Sequence, residues 1–364
     1  MRSRHELRAT RRRKKKAADL KRAIRNRDAM LRTLPKVKPT YAKRLIAISA
    51  PPIFSLSRNY VEVMAFIYNA RRYIYEHYMA KTRSSRSKRQ LRLDLSTITQ
   101  IGPAAALVLA AELDRWRLLT GAKLMPYRLQ DWDPTVRAAL LDLGLFDLLS
   151  VEAPEHDPDT LPTTRLIKFM SGTGAAGDDC LKLRDALQDV AGPIQARTYL
   201  YDGISEAMTN SMHHAYPIGQ EDLTVPHAPG KRWWASGSFN AETGVMKAMV
   251  YDQGVGIPST LPSSRFWEKI VALTASSGRH DAYMIKAALE VDRTSTEEPG
   301  RGQGLSNVKA YIDNSDEGLL RIWSGKGHVS YSKGGKIATV AQTTPFSGTL
   351  LEWEVSRGRP ADGE

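Results

Sequence analysis

The chain has 364 residues, 42% of them hydrophobic, enough for two or three domains with cores of their own. A single cysteine, Cys180, excludes an intramolecular disulfide, and no Cys/His cluster has the spacing of a zinc site. The formal charge of +14 sits at one end: residues 1–38 hold 16 Lys/Arg against Glu6, Asp19 and Asp28, a net of +13, and the remainder is nearly neutral.

Residues 1–39 therefore read as a basic arm, disordered or partly helical. Its stretch Arg2–Lys38, with the run Arg11–Lys16, could contact nucleic-acid phosphates or an acidic partner. No aromatic residue is interleaved to stack on bases, so a solvated extension is the simpler expectation. No apolar run reaches the ~18 residues that a membrane span needs, and none follows the basic start as a signal peptide would require. The expectation is a soluble, cytoplasmic protein with no membrane contact.

After the prolines of "LPKVKPTYAKR" (34–44), "RLIAISAP" reads as a strand. "YVEVMAFIYNARRYIYEHYM" reads as a helix, with apolar residues at three- and four-residue spacing. "RQLRLDLSTI" alternates like a buried strand, and "GPAAALVLAAELDRWRLL" (102–119) is a helix with Pro103 in its first turn. "AKLMPYRL" reads as a short strand and "PTVRAALLDLGLFDLL" as a helix with a glycine break. Strands alternating with helices predict a small α/β domain over residues 40–152.

The segment "LRLDLSTITQIGPAAALVLAAELDRW" leads from a strand through a small-residue turn into a helix, and resembles the STAS fold of anti-sigma-factor antagonists. In that family the turn presents a phosphorylatable serine; here Pro103 and Ala104 stand in its place. The resemblance thus implies a docking or dimerisation module that has lost its phospho-switch, with a homodimer among its assemblies. Residues 153–164, rich in proline and acid, read as a linker; residues 165–356 form a second domain and 357–364 a tail.

In "YDGISEAMTNSMHHAYP" (201–217), Ile204, Ala207, Met208, Ser211, Met212 and Ala215 form a core-facing helical stripe. Glu206, Thr209, Asn210 and His213 share the opposite side, which is either a solvated face or the wall of a site. Downstream, "KRWWASGSFNAETGVMKAMVYD" reads as a hairpin turning at "NAETG", with Trp233 and Trp234 packed in its sheet. Its second strand ends at Asp252, and Gly254 and Gly256 follow, where backbone can approach a ligand closely. "EPGRGQGLSNVKAYI" (298–312) puts Gly300, Gly302 and Gly304 before a helix whose Leu305, Val308 and Ile312 face the core, an arrangement suited to phosphate. "FSGTLLEWEV" is a late strand entered through Gly348 and Thr349.

Taken in order, E-x-x-x-N, D-x-G-x-G, G-x-G-x-G-L and G-T resemble the ATP-binding domain of the GHKL superfamily, which includes gyrase and the histidine kinases. "SEAMTNSMHHAYP" is most similar to the corresponding box of the anti-sigma-factor serine kinases. The implied fold is α/β: a STAS-like domain followed by a GHKL, Bergerat-type, α/β sandwich. The resemblance implies that Asn210 coordinates Mg²⁺ bridging the phosphates of ATP, and that Glu206 is the general base. It implies further that Asp252 holds the adenine amino group with Thr349 in support, Gly254 and Gly256 shape the adenine pocket, Gly302 and Gly304 give N–H groups to the phosphates, and His214 lies near them. Residues between Gly256 and Gly300 would form a lid, helical in periodicity up to "DRTSTEEPGRGQG". The expected activity is an ATP-driven switch or a serine/threonine protein kinase acting on a regulatory protein partner. A non-catalytic adaptor working through the basic arm and a histidine-kinase-like sensor component are the alternatives; residues 165–200 offer the latter no phosphoacceptor histidine.

Overall fold

The computed structural model describes residues 40–42, 45–80, 90–121, 125–155, 162–174, 177–217, 229–264, 267–275, 280–294 and 304–356, with isolated positions before residue 40 and at 278. The basic arm, half of the expected linker (156–161), the glycine run at 300–303 and the tail lie largely or wholly outside these residues.

The N-terminal unit is mixed α/β. Strands β1 (Thr40–Ala42), β2 (Leu45–Ser49) and β4 (Gln90–Asp94) form one small sheet, in which β1 runs antiparallel and β4 parallel to β2. Strands β3 (Ile53–Phe54) and β5 (Gln100–Ile101) pair in parallel beside it. Helix α1 (Tyr60–Ala80) connects β3 to β4. Helix α2 (Pro103–Thr120) starts on a proline, where a missing N–H costs nothing, and ends at Gly121 in the left-handed region, whose N–H returns to the Arg117 carbonyl. Its mid-section is buried all round, from Ala104 to Trp116. Asp133 caps α3 (Pro134–Asp142) by accepting from Val136 N at 3.0 Å, and Gly144, at φ 83°, breaks it from α4 (Leu145–Leu149). The strand expected at "AKLMPYRL" is reduced, among the described residues, to a single parallel bridge of Tyr127 with Asp94.

The second unit is built on an antiparallel sheet ordered β10–β11–β9–β8–β6, with β7 (Met170–Gly172) also pairing β8. Strand β6 (Thr164–Leu166) begins one residue before the expected boundary. Strands β8 (Trp233–Asn240) and β9 (Val245–Asp252) form the expected hairpin; β10 (Gly318–Ser332) and β11 (Lys336–Ser356) form a longer one. Helices α5 (Gly177–Ala191), α6 (Arg197–His213), α7 (Ile257–Thr260), α8 (Trp267–Thr274), α9 (Asp281–Thr294) and α10 (Gly304–Asp313) complete it.

Strand alternation divides the sheet's side chains between two cores. Trp233, Ala235, Ala248, Val250, Leu351 and Trp353 pack with Leu183, Leu187, Leu200, Ile204, Met208, Val308 and Ile312 of the helices α5, α6 and α10. Trp234, Met249, Tyr251, Trp323, Phe346 and Leu350 join instead a cluster with Phe66, Leu107, Leu113 and Trp116 of the N-terminal helices. Beyond that apolar patch the same sheet face carries Lys247, Arg321, Glu352 and Glu354 in a network of ion pairs. The two stretches read as separate domains thus share one continuous core.

The interface also carries buried charge. Glu112 accepts from Arg71 Nε at 2.9 Å, from Arg115, and from Trp116 Nε1 at 2.7 Å. Asp114 accepts from Trp234 Nε1 at 3.0 Å. Glu112 and both flanking arginines are buried, and these guanidiniums hold its carboxyl below the usual range against the opposing effect of burial.

Candidate functional site

Helix α6 explains the first half of the site. Its apolar stripe, Leu200, Ile204, Ala207 and Met208, is fully or almost fully buried on the sheet, which leaves Glu206 and Asn210, one turn apart, at the helix edge. Asn210 Nδ2 donates to Glu206 Oε1 at 2.9 Å. Gly203 lets the helix approach α10: a Cβ there would lie 3.3 Å from the Asn307 carbonyl and from the Trp353 ring.

The second half comes from the sheet. Asp252 closes β9 and is the register partner of Thr349 on β11, the first pair of that ladder. Thr349 lies inside β11, which already runs from Lys336, so the strand is not entered at Gly348 and Thr349 as expected. A cavity of about 590 Å³ lies between helix and strand ends, lined by Glu206, Asn210, His214, Asp252, Gly256 and Thr349 among others. That size falls within the roughly 300–1,000 Å³ usual for small-molecule sites. Leu261, Ile270, Ala288, Val291 and Leu305 give it an apolar wall, and the first four belong to a small core of their own with Met284 and Ala287.

Asp252 is 6% exposed. Its carboxylate accepts from Gly254 N at 2.8 Å, and Ser211 Oγ lies 3.5 Å from it. Burial pushes its pKa up to about 7, in spite of the opposing hydrogen bonds from the Gly254 and Thr349 backbone and from Ser211. Such a group exchanges a proton near neutrality and, when ionised, is a strong acceptor for an N–H donor entering the cavity. His214 is the C-cap of α6; partial burial, then His213 and Lys231, hold its imidazole below the ordinary pKa. It is a neutral hydrogen-bonding group at pH 7 rather than a cation.

Six sequence-expected residues therefore line one cavity: Glu206, Asn210, His214, Asp252, Gly256 and Thr349. Gly254 does not line it. It packs against the end of α6, where an added Cβ would fall 2.1 Å from the Ala215 carbonyl, and Val255 N donates to that carbonyl at 2.8 Å. It fastens the loop after β9 to the helix, and its N–H holds the carboxylate of the cavity-lining Asp252. Gly304 is the first residue of α10, next to the cavity-lining Leu305, while Gly302 lies outside the described residues.

Several contributors escaped the sequence reading. Ser211 was assigned to the core stripe, and it is buried, yet its hydroxyl approaches Asp252 after bonding the Ala207 carbonyl at 2.9 Å. Ser324 accepts from Ile257 N at 2.8 Å, donates to the Gly348 carbonyl at 3.0 Å and lies 3.1 Å from Thr349 Oγ1. It sits at a register shift in β10, which no local pattern announces. Tyr216 holds the following loop, with its hydroxyl accepting from Gln253 N at 3.0 Å and donating to the Arg232 carbonyl.

The fold and the cavity define a mixed α/β protein with a buried carboxylate facing a helix-borne Glu–Asn pair. No protein-family model and no curated protein matches the chain. Among the described residues no helix is long and apolar enough to cross a membrane, and no group of three or more His, Cys, Asp or Glu could hold a metal ion.

Proposed function

We propose that the cavity binds ATP with Mg²⁺, and that the protein is a GHKL-type regulator with a STAS-like N-terminal unit, acting as an ATP-driven switch or as a serine/threonine kinase on a protein partner. The observation that carries this reading is the convergence of Glu206 and Asn210 from a helix with Asp252 and Thr349 from paired neighbouring strands on one cavity. These residue types fit the parts of a nucleotide. The buried Asp252 carboxylate suits an exocyclic amine, the apolar wall suits a flat base, and the α10 N-terminus beside Leu305 suits phosphate.

With its Nδ2 engaged by Glu206, Asn210 has its amide oxygen for a hard cation that also takes phosphate oxygens. Bound Mg²⁺ would supply charge neutralisation at the phosphates. Glu206, beside Asn210 on the same helix edge, accepts the proton of an attacking water or hydroxyl. Asn210 orients that carboxylate, and the apolar wall excludes bulk water.

The test is incubation of the full chain with Mg²⁺ and γ-labelled ATP beside Glu206→Ala and Asp252→Ala. Binding lost in Asp252→Ala, with free phosphate release lost in Glu206→Ala, is expected of a switch ATPase. Label retained on the nucleotide by the wild type until a partner is added marks a kinase. No nucleotide binding by the wild type defeats the proposal.

A further inference from the structure

The buried contacts between the N-terminal unit and the sheet fall behind the cavity. Asp252 faces the cavity, and Gln253, continuing the alternation of β9, faces the opposite way into the N-terminal unit. Gln253 is 1% exposed, and its Nε2 points to Glu112 Oε2 at 3.4 Å. Its Oε1 is buried and has no hydrogen-bond partner among the described residues. A half-satisfied buried amide is unfavourable, so the surrounding packing must hold it in place. Glu112 in turn is fixed by Arg71, Arg115 and Trp116.

A second attachment grips the neighbouring strand. Tyr60 and Tyr68 of α1 donate to the Thr344 and Pro345 carbonyls, each at 2.9 Å. Tyr251 donates to the Ser347 carbonyl at 3.0 Å. The two carbonyls held by α1 lie four and three residues before Gly348, and the one held by Tyr251 directly precedes it. The end of β9 and the stretch of β11 that leads to Thr349 are thus held from behind, the first by α2 and the second by α1.

We propose that the N-terminal unit positions the cavity, with Gln253, Glu112, Tyr60 and Tyr68 as positioning residues, so that nucleotide occupancy and the seating of α1 and α2 are thermodynamically coupled. This coupling rests on the nucleotide reading of the site. It is reciprocal: whatever loosens the helices weakens the ligand, and the ligand tightens the helices by the same factor. A partner that docks on the N-terminal unit would then read or set the nucleotide state without touching the cavity.

The test uses the full chain, Mg-ATP as the probe, and two nearly isosteric variants, Gln253→Met and Tyr68→Phe. Calorimetric titration gives affinity, and backbone hydrogen exchange with and without Mg-ATP gives the seating of residues 60–74 and 103–120. Wild-type exchange in both segments is expected to slow with ligand. Each variant is expected to bind about fivefold more weakly, the factor of one lost hydrogen bond. In Gln253→Met the slowing at 103–120 is lost while that at 197–213 persists. Wild-type binding with unchanged exchange at 60–74 and 103–120 overturns the coupling, even if the variants bind weakly, because loss of stability alone would then account for them. Variants that bind like the wild type overturn it as well. A wild type that binds no Mg-ATP overturns the nucleotide reading, and the coupling falls with it; the wild-type exchange experiment decides the matter even if a variant fails to fold.

Discussion

At the scale of single residues, Asp252 ties stability and ligand binding to pH. Its folded pKa of about 7 stands above the ordinary value, so the folded state holds this proton more tightly than the unfolded chain does. Its contribution to stability is complete at low pH and is lost as pH rises from about 4 through about 7, at an upper limit of roughly 4 kcal/mol. Asp252→Asn should therefore gain stability over the wild type at pH 8 and little at pH 4.5, which paired urea titrations would check. Binding has the opposite sign, because an N–H donor needs the carboxylate. Affinity for Mg-ATP should be about tenfold weaker at pH 6 than at pH 8, and the dependence should vanish in Asp252→Asn. A wild type whose affinity is flat across that range would remove Asp252 from the binding group. Asp252 was legible as a strand-end carboxylate before two glycines. Ser211 and Ser324 were not, since a hydroxyl on a core stripe and one at a strand irregularity look like ordinary packing until the partner strand is in place.

Elements rather than residues decide where the loop after Asp252 runs. The hairpin β8–β9 was readable because two largely apolar runs flank the polar turn "NAETG", and the two adjacent indoles enter opposite cores. Of the short strand expected near Tyr127, the described residues keep one parallel bridge, to Asp94 at the end of β4. Contacts distant in sequence override local propensity in such cases. The close approach at Gly254 is of the same kind. Replacing Gly254 by Ala drives a methyl to within 2.1 Å of the Ala215 carbonyl, and neither backbone is free to yield because Val255 N already bonds that carbonyl. Gly254→Ala should cost at least about 2 kcal/mol by urea unfolding and should also weaken Mg-ATP binding, although the glycine does not line the cavity. Wild-type stability in this variant would mean that the helix end and the loop move together.

On the scale of the whole molecule, the sequence reads a proline-rich linker between two domains, yet buried residues from both sides of it share one core. Composition marks where a chain loses regular structure; it does not report whether the flanking units bury apolar surface against each other. Trp234, Tyr251, Trp323 and Phe346 belong to the second unit by sequence, yet their cover comes from Phe66, Leu107 and Trp116. Tyr251 and Trp323 are about 1% exposed and Trp234 is fully buried, so removing the N-terminal unit would bare a contiguous aromatic patch. The charged array of Lys247, Arg321, Glu352 and Glu354 covers only the remainder of that sheet face. Two consequences can be measured together. The full chain should unfold in one cooperative transition, with tryptophan fluorescence and far-ultraviolet dichroism coinciding. A fragment of residues 162–356 should self-associate or bind a hydrophobic dye strongly at concentrations where the full chain stays monodisperse or forms a defined oligomer. Two separated transitions, together with a well-behaved fragment, would mean that the shared core contributes little. In that event the polar contacts at Gln253, Tyr60 and Tyr68 could not transmit nucleotide state to the N-terminal helices either, because a coupling cannot exceed the interface that carries it.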